Sequence, residues 1–396
     1  MYHRNAATQL AKRLAEPRRF IQIVLGPRQV GKTTLVGQAL ASSTGHIVKG
    51  SADDLSIIGR TWLIDVWNRA RALARDGAAC VLAVDEVQKI EDWASVVKKL
   101  WDEDTASNTN VRVVLTGSST MLIRKGMSES LAGRFEVLRA HHWTWPEMQG
   151  AFDCTLDEYL AVGGYPGPMS LRNDPDRWLS YMRESIIEST LALDVLSLER
   201  IDKPALLRNL FVLGTASSAQ IISLQKLLGQ LQDSGNAATI SHYLTLLSDC
   251  GLLTGLEKYA ATTARSRAAS PKLASTAPAL VTSVLGLPLV TTHLDPTLRG
   301  QIIESAVGAH LMSITKGTPS RVEYWRDGNA EVDFVLNTPR GPVLLEVTSG
   351  DARRAYRGAE AFRRQHGKAP LIVVAPDATP LDAFLQMSLA DVTAVI

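Results

Sequence analysis

Short apolar runs alternate with stretches of helical periodicity through the first third of the chain. Phe20-Ile21-Gln22-Ile23-Val24-Leu25 has the length of a strand, and Leu35-Val36-Gly37-Gln38-Ala39-Leu40 reads as the first turns of a helix. His46-Ile47-Val48 predicts a short strand. Between Thr61 and Arg75 the apolar Leu63, Ile64, Val66 and Trp67 recur at helical spacing. Cys80-Val81-Leu82-Ala83-Val84 contains no polar residue, the mark of a strand buried on both faces. Trp93–Trp101 predicts a helix, Val111–Thr116 another buried strand and Phe135–Ala140 a further one. This rhythm is that of a parallel sheet flanked by helices.

The pattern changes after Ala140. His142-Trp143-Thr144-Trp145-Pro146 and Gly163-Gly164-Tyr165-Pro166-Gly167-Pro168 are breakers, and a helical stretch follows over Asp176–Leu198. Residues 204–258 hold three short helical segments. The third, Asn236–Leu247, ends at Gly251, and Leu252–Leu256 with a following arm forms a wing, so the order is that of a winged helix. Ala260–Pro278, rich in Ala, Ser, Thr and Arg, reads as loop. Helix and strands resume at Ile302–Ile314, Arg321–Trp325, Ala330–Leu336, Val343–Val347, Ala352–Arg364 and Leu371–Val374. The expected division is an α/β domain over 1–145, a helical connector over 146–200, a winged-helix-like domain over 201–275 and a further α/β domain over 276–396.

Chemistry enters at Gly26-Pro27-Arg28-Gln29-Val30-Gly31-Lys32-Thr33-Thr34, which satisfies the G-x-x-x-x-G-K-[ST] phosphate-loop pattern between a strand and a helix. Backbone N–H groups of such a loop wrap a polyphosphate, and the helix N-terminus adds partial positive charge. Gly26 and Gly31 allow backbone angles and close approach that a side chain would block. Lys32 is placed to reach the outer phosphates, and the Thr33 hydroxyl to ligate magnesium. An ordinary glycine-rich turn before a helix is the plainer alternative. A second motif makes it the weaker one: the buried strand runs into Asp85-Glu86. In P-loop ATPases an acidic residue here holds the magnesium ion through water, which points to Asp85. An adjacent carboxylate can act as general base on the attacking water, which points to Glu86. The pair could instead cap the next helix.

Bulk composition narrows the classes only a little. The chain has 396 residues, 45% hydrophobic and 21% charged, with a net charge of +2, so global charge points to no polyanionic partner. Near the N-terminus Arg4, Lys12, Arg13, Arg18, Arg19, Arg28 and Lys32 face only Glu16, a run that reads as a solvated helix face before it reads as a nucleic-acid patch. Cys80, Cys154 and Cys250 are far apart and odd in number, with neither metal spacing nor a disulfide framework. A reducing compartment is expected. The N-terminus has no apolar signal segment, and Ala277–Val290 is short and broken by Pro278, Gly286 and Pro288. The expectation is a cytoplasmic protein with no membrane role.

From Asp85-Glu86-Val87-Gln88-Lys89-Ile90 with Trp93 onward, the chain resembles prokaryotic AAA-type P-loop ATPases fused to a C-terminal domain of unknown function 4143. The phosphate loop, Leu115-Thr116-Gly117-Ser118-Ser119, Leu131-Ala132-Gly133-Arg134 and Gly163-Gly164-Tyr165-Pro166 carry the rest of the likeness, which is strong to about residue 170 and looser beyond. The resemblance implies ATP and Mg²⁺ as ligands. It also implies a γ-phosphate sensor at Ser118 or Thr116, and Arg134 as an arginine finger stabilising charge in the transition state. Read without the resemblance, Arg134 is a surface arginine at a strand start.

Two output regions follow. The third helix of the winged-helix pattern, Ala237–Leu247, has neither Lys nor Arg, whereas base-reading helices usually present Arg, Lys, Asn or Gln. Thr239, Ser241, His242 and Tyr243 remain as contact candidates, and the cations lie later, at Lys258, Arg265, Arg267 and Lys272. DNA binding stands beside a structural or protein-docking role, with the latter favoured. In the last domain Glu304, Asp333 and Glu346 are similar in order to the carboxylates of the restriction-endonuclease-like nuclease core, in which they hold a divalent metal. The lysine expected two residues after Glu346 is Thr348. Arg353 or Arg354 is a candidate replacement, and an inert, retained nuclease fold is the expectation over an active nuclease.

The function this reading predicts is a Mg-dependent ATPase whose hydrolysis drives a conformational switch in output domains that contact a protein or nucleic acid. A nucleotide-dependent scaffold with negligible turnover is the alternative, and an ATP-regulated nuclease is a weaker one. The oligomeric state is left open, a homo-oligomer included.

Overall fold

The computed structural model describes residues 2–53, 59–75, 78–117, 130–196, 201–231, 236–260, 269–348 and 353–396, those at 353–355 by backbone alone. Two compact units divide at His141/His142.

The first unit is built on five parallel strands in the order β2-β3-β4-β1-β5: β1 Ile21–Leu25, β2 His46–Ser51, β3 Cys80–Asp85, β4 Val111–Gly117 and β5 Phe135–Arg139. Helices α1 (Asn5–Ala15), α2 (Lys32–Ala41), α3 (Arg60–Leu73) and α4 (Trp93–Ala106) cover it. Period-2 geometry sorts the apolar runs onto two faces. Ile21, Ile23, Leu25, Leu82, Val84, Val113 and Leu115 pack with Trp67, Trp93 and Trp101 of α3 and α4. Val24, Val81, Ala83, Val114 and Leu138 pack with Leu10, Leu14, Leu35, Val36 and Leu40 of α1 and α2. Both faces are covered, which is why these strands read as unbroken hydrophobic runs. This is the parallel sheet with flanking helices that the apolar rhythm predicts, of the P-loop AAA type that the resemblance implies.

The basic N-terminal run is partly structural. The Arg18 guanidinium lies 3.5 Å from the Trp101 ring centroid and donates to the carbonyls of Val111 (2.9 Å) and Trp101 (3.0 Å). Arg4 is buried and donates to the Val30 carbonyl at 3.2 Å. Arg4 is thus no part of a solvated face, and Arg18 is partly buried against Trp101.

In the second unit, helices Pro204–Ala216, Leu224–Leu231 and Ala237–Asp249 precede an antiparallel hairpin of β6 (Leu253–Leu256) and β7 (Lys272–Ser275). A separate four-stranded sheet runs β11-β10-β9-β8: β8 Arg321–Asp327, β9 Ala330–Thr338, β10 Gly341–Val347 and β11 Leu371–Val374. Strands β8, β9 and β10 are antiparallel neighbours, and β11 joins β10 in parallel. The helices Pro296–Thr315 and Arg353–His366 accompany it. Trp178, Phe211, Leu246, Leu273, Phe334, Leu345 and Phe384 share one hydrophobic cluster, so helices, hairpin and sheet are built around a common core.

Two departures from the sequence expectation have physical causes, one local and one not. The stretch read as one helix over Asp176–Leu198 is α-helical only at Pro175–Tyr181 and π-helical over Met182–Glu188 and Leu191–Leu196. There the hydroxyls of Ser189 and Thr190 donate to the carbonyls of Ser185 (2.5 Å) and Ile186 (2.6 Å), competing with the backbone ladder. The stretch read as loop contains β7, all four residues of which are buried. Its Ser, Thr and Ala composition gives no strand signal because its stability comes from the surrounding core.

Candidate nucleotide site and a second carboxylate cluster

The phosphate loop leaves the C-terminal end of β1, an interior strand between β4 and β5, and ligands of open α/β sheets bind at the carboxyl ends of the strands. A Cβ on Gly26 would come within 2.1 Å of the Ala140 carbonyl oxygen, and Gly31 has φ +85°, so both glycines answer to steric need. Gln29 also has positive φ (61°), so left-handed residues recur along the loop, the kind of turn whose N–H groups make an anion cradle. Lys32, 7% exposed, donates from Nζ to the carbonyls of Gly26 (3.0 Å) and Pro27 (2.9 Å). Its ammonium therefore rests on the loop itself.

Parallel register brings the second motif alongside. Val24 lies opposite Thr116, and Val84 opposite Leu115, so β1, β3 and β4 end together. Thr33 Oγ1 donates to Asp85 Oδ2 at 2.7 Å, and Thr116 Oγ1 to Asp85 Oδ1. A hydroxyl and a carboxylate converging at the loop are hard oxygen donors that suit Mg²⁺ beside phosphates. Glu86 follows with φ 51°, its N–H donating to Asp85 Oδ1 (3.0 Å) and Thr116 Oγ1 (3.3 Å). Burial raises its carboxyl above the ordinary range. Lys32 and Arg28 oppose this, and Asp85 and Asp53 add to it. Gln88, which the sequence reading passed over, donates from Nε2 to Glu86 Oε2 at 2.6 Å. Its position two residues after the carboxylate, in a 3₁₀ turn, was the available signal. A cavity of about 240 Å³ lies at this end of the sheet, its wall including Thr33, Lys49, Ser51, Asp85 and Thr116.

Arg134 lies elsewhere. It precedes β5, and its carbonyl accepts from Ile21 N, at the N-terminal edge of the parallel sheet. The phosphate loop begins after Leu25, on the order of 13 Å of strand away. The guanidinium is bidentate to Asp102, Nε–Oδ1 at 2.7 Å and Nη2–Oδ2 at 3.0 Å. Ser118 lies outside the described residues, as do Arg265 and Arg267.

The second unit gathers its carboxylates. Val347 N donates to Asp333 Oδ2 at 2.8 Å, and Glu346 is hydrogen-bonded to Asp333. Lys272 Nζ stands 2.5 Å from Glu304 Oε1, 3.6 Å from Asp333 Oδ1 and 3.7 Å from Glu331 Oε1. Lys272 is 1% exposed, which removes it from the cations a nucleic-acid backbone could meet. Tyr243 is buried too, and its hydroxyl accepts from Lys203 N at 3.3 Å. The exposed positions of its helix include Ala238, Ser241, His242 and Thr245. Among the described residues no group of three or more His, Cys, Asp or Glu is arranged to hold a metal ion. No described helix is long and apolar enough to cross a membrane.

A strand–loop–helix phosphate cradle with a Thr–Asp–Glu cluster beside it is the site of a P-loop nucleotide-binding protein. Residues 18–149 match the family described as an AAA domain. Residues 154–290 and 299–388 match two domains of unknown function, DUF8612 and DUF4143. The chain is thus an AAA-type P-loop domain followed by the DUF4143 domain at the C-terminus. No protein of curated function matches the sequence. Among solved structures, the chain is similar to the Aeropyrum pernix ORC1 protein in complex with DNA, with 12% identity over 73% of this chain and 93% of that one and a TM-score of 0.32. It is similar to a Thermotoga maritima RuvB variant with 18% identity, 63% and 86% coverage and a TM-score of 0.33. For Cdc6p from Pyrobaculum aerophilum the values are 13%, 76%, 92% and 0.31. Likeness at this level speaks to no residue's role and to no partner.

Proposed function

We propose that the chain binds ATP with Mg²⁺ at the loop Gly26–Thr34, hydrolyses it, and uses the cycle to switch output regions beyond residue 145. The convergence of Thr33, Asp85 and Glu86 at the end of the sheet that carries the loop is the observation that supports this most. Thr33 and Asp85 would hold magnesium, whose charge would offset the charge that builds on the phosphates. Thr33 and Asp85 supply the protein oxygens nearest to such an ion. Lys32 exchanges its two loop carbonyls for phosphate oxygens, so the loop is preorganised around a cation before ligand arrives. Glu86 accepts the proton of the attacking water, a role helped by a carboxyl raised towards neutrality. Thr116, bonded to both carboxylate residues, is the sensor candidate within reach. Arg134, as a finger, would serve the site of a second copy, because its own loop lies at the opposite end of the sheet.

The output follows from the second unit. Three helices and a hairpin have the order of a winged helix, with boundaries near 201–275. The exposed residues of its third helix carry no cation, which favours a protein partner over DNA. A nuclease output is disfavoured by Thr348 and by Lys272 among the carboxylates. The scaffold alternative keeps one observation: Glu86 is held by Gln88. Steady-state phosphate release with Mg-ATP, in wild type and Lys32→Ala, tests the proposal. Turnover that disappears in the variant is expected. ATP bound tightly by wild type without phosphate release would leave the scaffold reading in its place.

A further inference from the structure

We infer that the carboxylate constellation of the second unit holds an internal cation, the Lys272 ammonium, in the space a divalent ion would take, so that the site is closed to metal while β7 is in place. The sequence lacks the lysine expected at Thr348, yet a lysine arrives from a different element. Lys272 opens β7, lies opposite Leu256 of β6, and bridges to Ile221. From there it crosses to the sheet. Its Nζ makes its shortest contact with Glu304 Oε1 at 2.5 Å, donates to the Asp333 carbonyl at 3.0 Å and faces Asp333 Oδ1 at 3.6 Å. The Phe334 ring lies 4.9 Å beneath it. An ammonium has three N–H donors and no acceptor: one goes to the Asp333 carbonyl, and the carboxylates of Glu304 and Asp333 face it as charges.

Burial makes the arrangement interdependent. An unpaired buried ammonium costs several kcal/mol, and so does each unpaired carboxylate. Burial alone would push the Lys272 ammonium down, but the charges of Glu304 and Asp333 reverse this and hold it above the usual lysine range. Burial pushes the Glu304 carboxyl up to about 7 and that of Glu346 to about 10, the latter also raised by the Asp333 charge and the hydrogen bond to it. A divalent ion entering this cluster would have to displace the ammonium. Access is not the obstacle, since Glu304 and Thr348 line a cleft of about 950 Å³. A nuclease water-activating lysine needs to face the cleft, whereas this one is 1% exposed and points among the carboxylates. The same cation ties hairpin to sheet.

The test is Mn²⁺ binding to the nucleotide-free full chain, read as loss of the free-Mn²⁺ electron paramagnetic resonance signal. Wild type and Asp333→Asn should bind Mn²⁺ alike, because the cluster takes none. Lys272→Met should bind about one ion more than wild type. Lys272→Met/Asp333→Asn should lose that ion. A wild-type site that binds Mn²⁺ and loses it on Asp333→Asn overturns the inference, as does a folded Lys272→Met that gains nothing. Should Lys272→Met fail to fold, the wild-type comparison still decides whether the site is closed. Lys272→Met/Glu304→Gln, which removes both members of the buried pair, then serves for the second measurement, with Asp333 and Glu346 as remaining ligands: a gained ion supports the inference, and none overturns it.

Discussion

Gln88 Nε2 stands 2.6 Å from Glu86 Oε2, and both side chains come from the turn that leaves β3. Gln88 is 3% exposed, and its own Oε1 has no hydrogen-bond partner among the described residues. A buried amide aimed at a carboxylate with its other end unsatisfied is set by that single bond. A donor to the ionised form favours it, and so acts in the same direction as the Lys32 and Arg28 charges that oppose the burial of Glu86. Gln88→Leu should therefore leave ATP affinity unchanged and lower kcat at neutral pH by about tenfold, the weight of a hydrogen bond to a charged group. The loss should be recovered as pH rises, since the carboxyl then ionises without help. An equal loss at every pH would show that Gln88 does not act through the ionisation of Glu86.

Glu86→Gln should keep ATP bound and slow turnover by roughly 100- to 10,000-fold, because an amide cannot take the proton of water. Asp85→Asn should instead raise the magnesium concentration needed for half-maximal activity, since Thr33 loses its carboxylate partner. Lys32→Ala should abolish tight ATP binding, measured by titration with a fluorescent analogue. Unchanged affinity in that variant would remove the phosphate-loop assignment.

Arg134 and Asp102 form an exposed bidentate pair, so Arg134→Ala should change stability by no more than about 1 kcal/mol. Its effect on turnover should depend on assembly. In wild type, phosphate release per chain should rise with protein concentration, and in Arg134→Ala it should stay low throughout, with ATP affinity retained. A wild-type rate independent of concentration, matched by the variant, would leave Arg134 as a structural ion pair.

Legibility followed locality. The run Ile21–Leu25, the glycine loop and the start of α2 are contiguous, so their geometry could be read from order alone, and Asp85-Glu86 gave itself away at the end of an unbroken apolar strand. Arg134 lies at the start of β5, which runs parallel to β1, and so at the opposite end of the sheet from the loop; strand direction places it there, and its position at a strand start was readable from the sequence. Glu304, Asp333 and Glu346 were recognisable as a set. The lysine among them was read as a wing cation because its strand has no alternation and its burial comes from residues distant in sequence. The π-helical turns were hidden for the opposite reason: the hydroxyls of Ser189 and Thr190 act over a single turn, below the resolution of a periodicity argument.

His310 supplies a pH test of the second unit. It lies on the helix Pro296–Thr315, buried, with Nε2 3.0 Å from the Met387 carbonyl and its ring edge-on to Phe384 at 5.6 Å. The carbonyl can only accept, so Nε2 carries the proton. Nδ1 has no partner among the described residues, and a second proton there would be buried without an acceptor. Burial accordingly pushes the imidazole down to about 4, against the weaker opposing pull of the Met387 carbonyl. Because the folded value lies below the unfolded one, about 6.5, the unfolded chain takes up the proton first. The contribution is therefore full above about pH 6.5 and is lost as pH falls towards 4. Between pH 7 and pH 5 the wild-type chain should lose about 2 kcal/mol more than His310→Gln, compared in urea unfolding at both pH values. His310→Gln is expected to be the less stable protein at pH 7 and to close much of that gap at pH 5. Equal losses in the two proteins would mean that His310 gains its proton without cost to the fold.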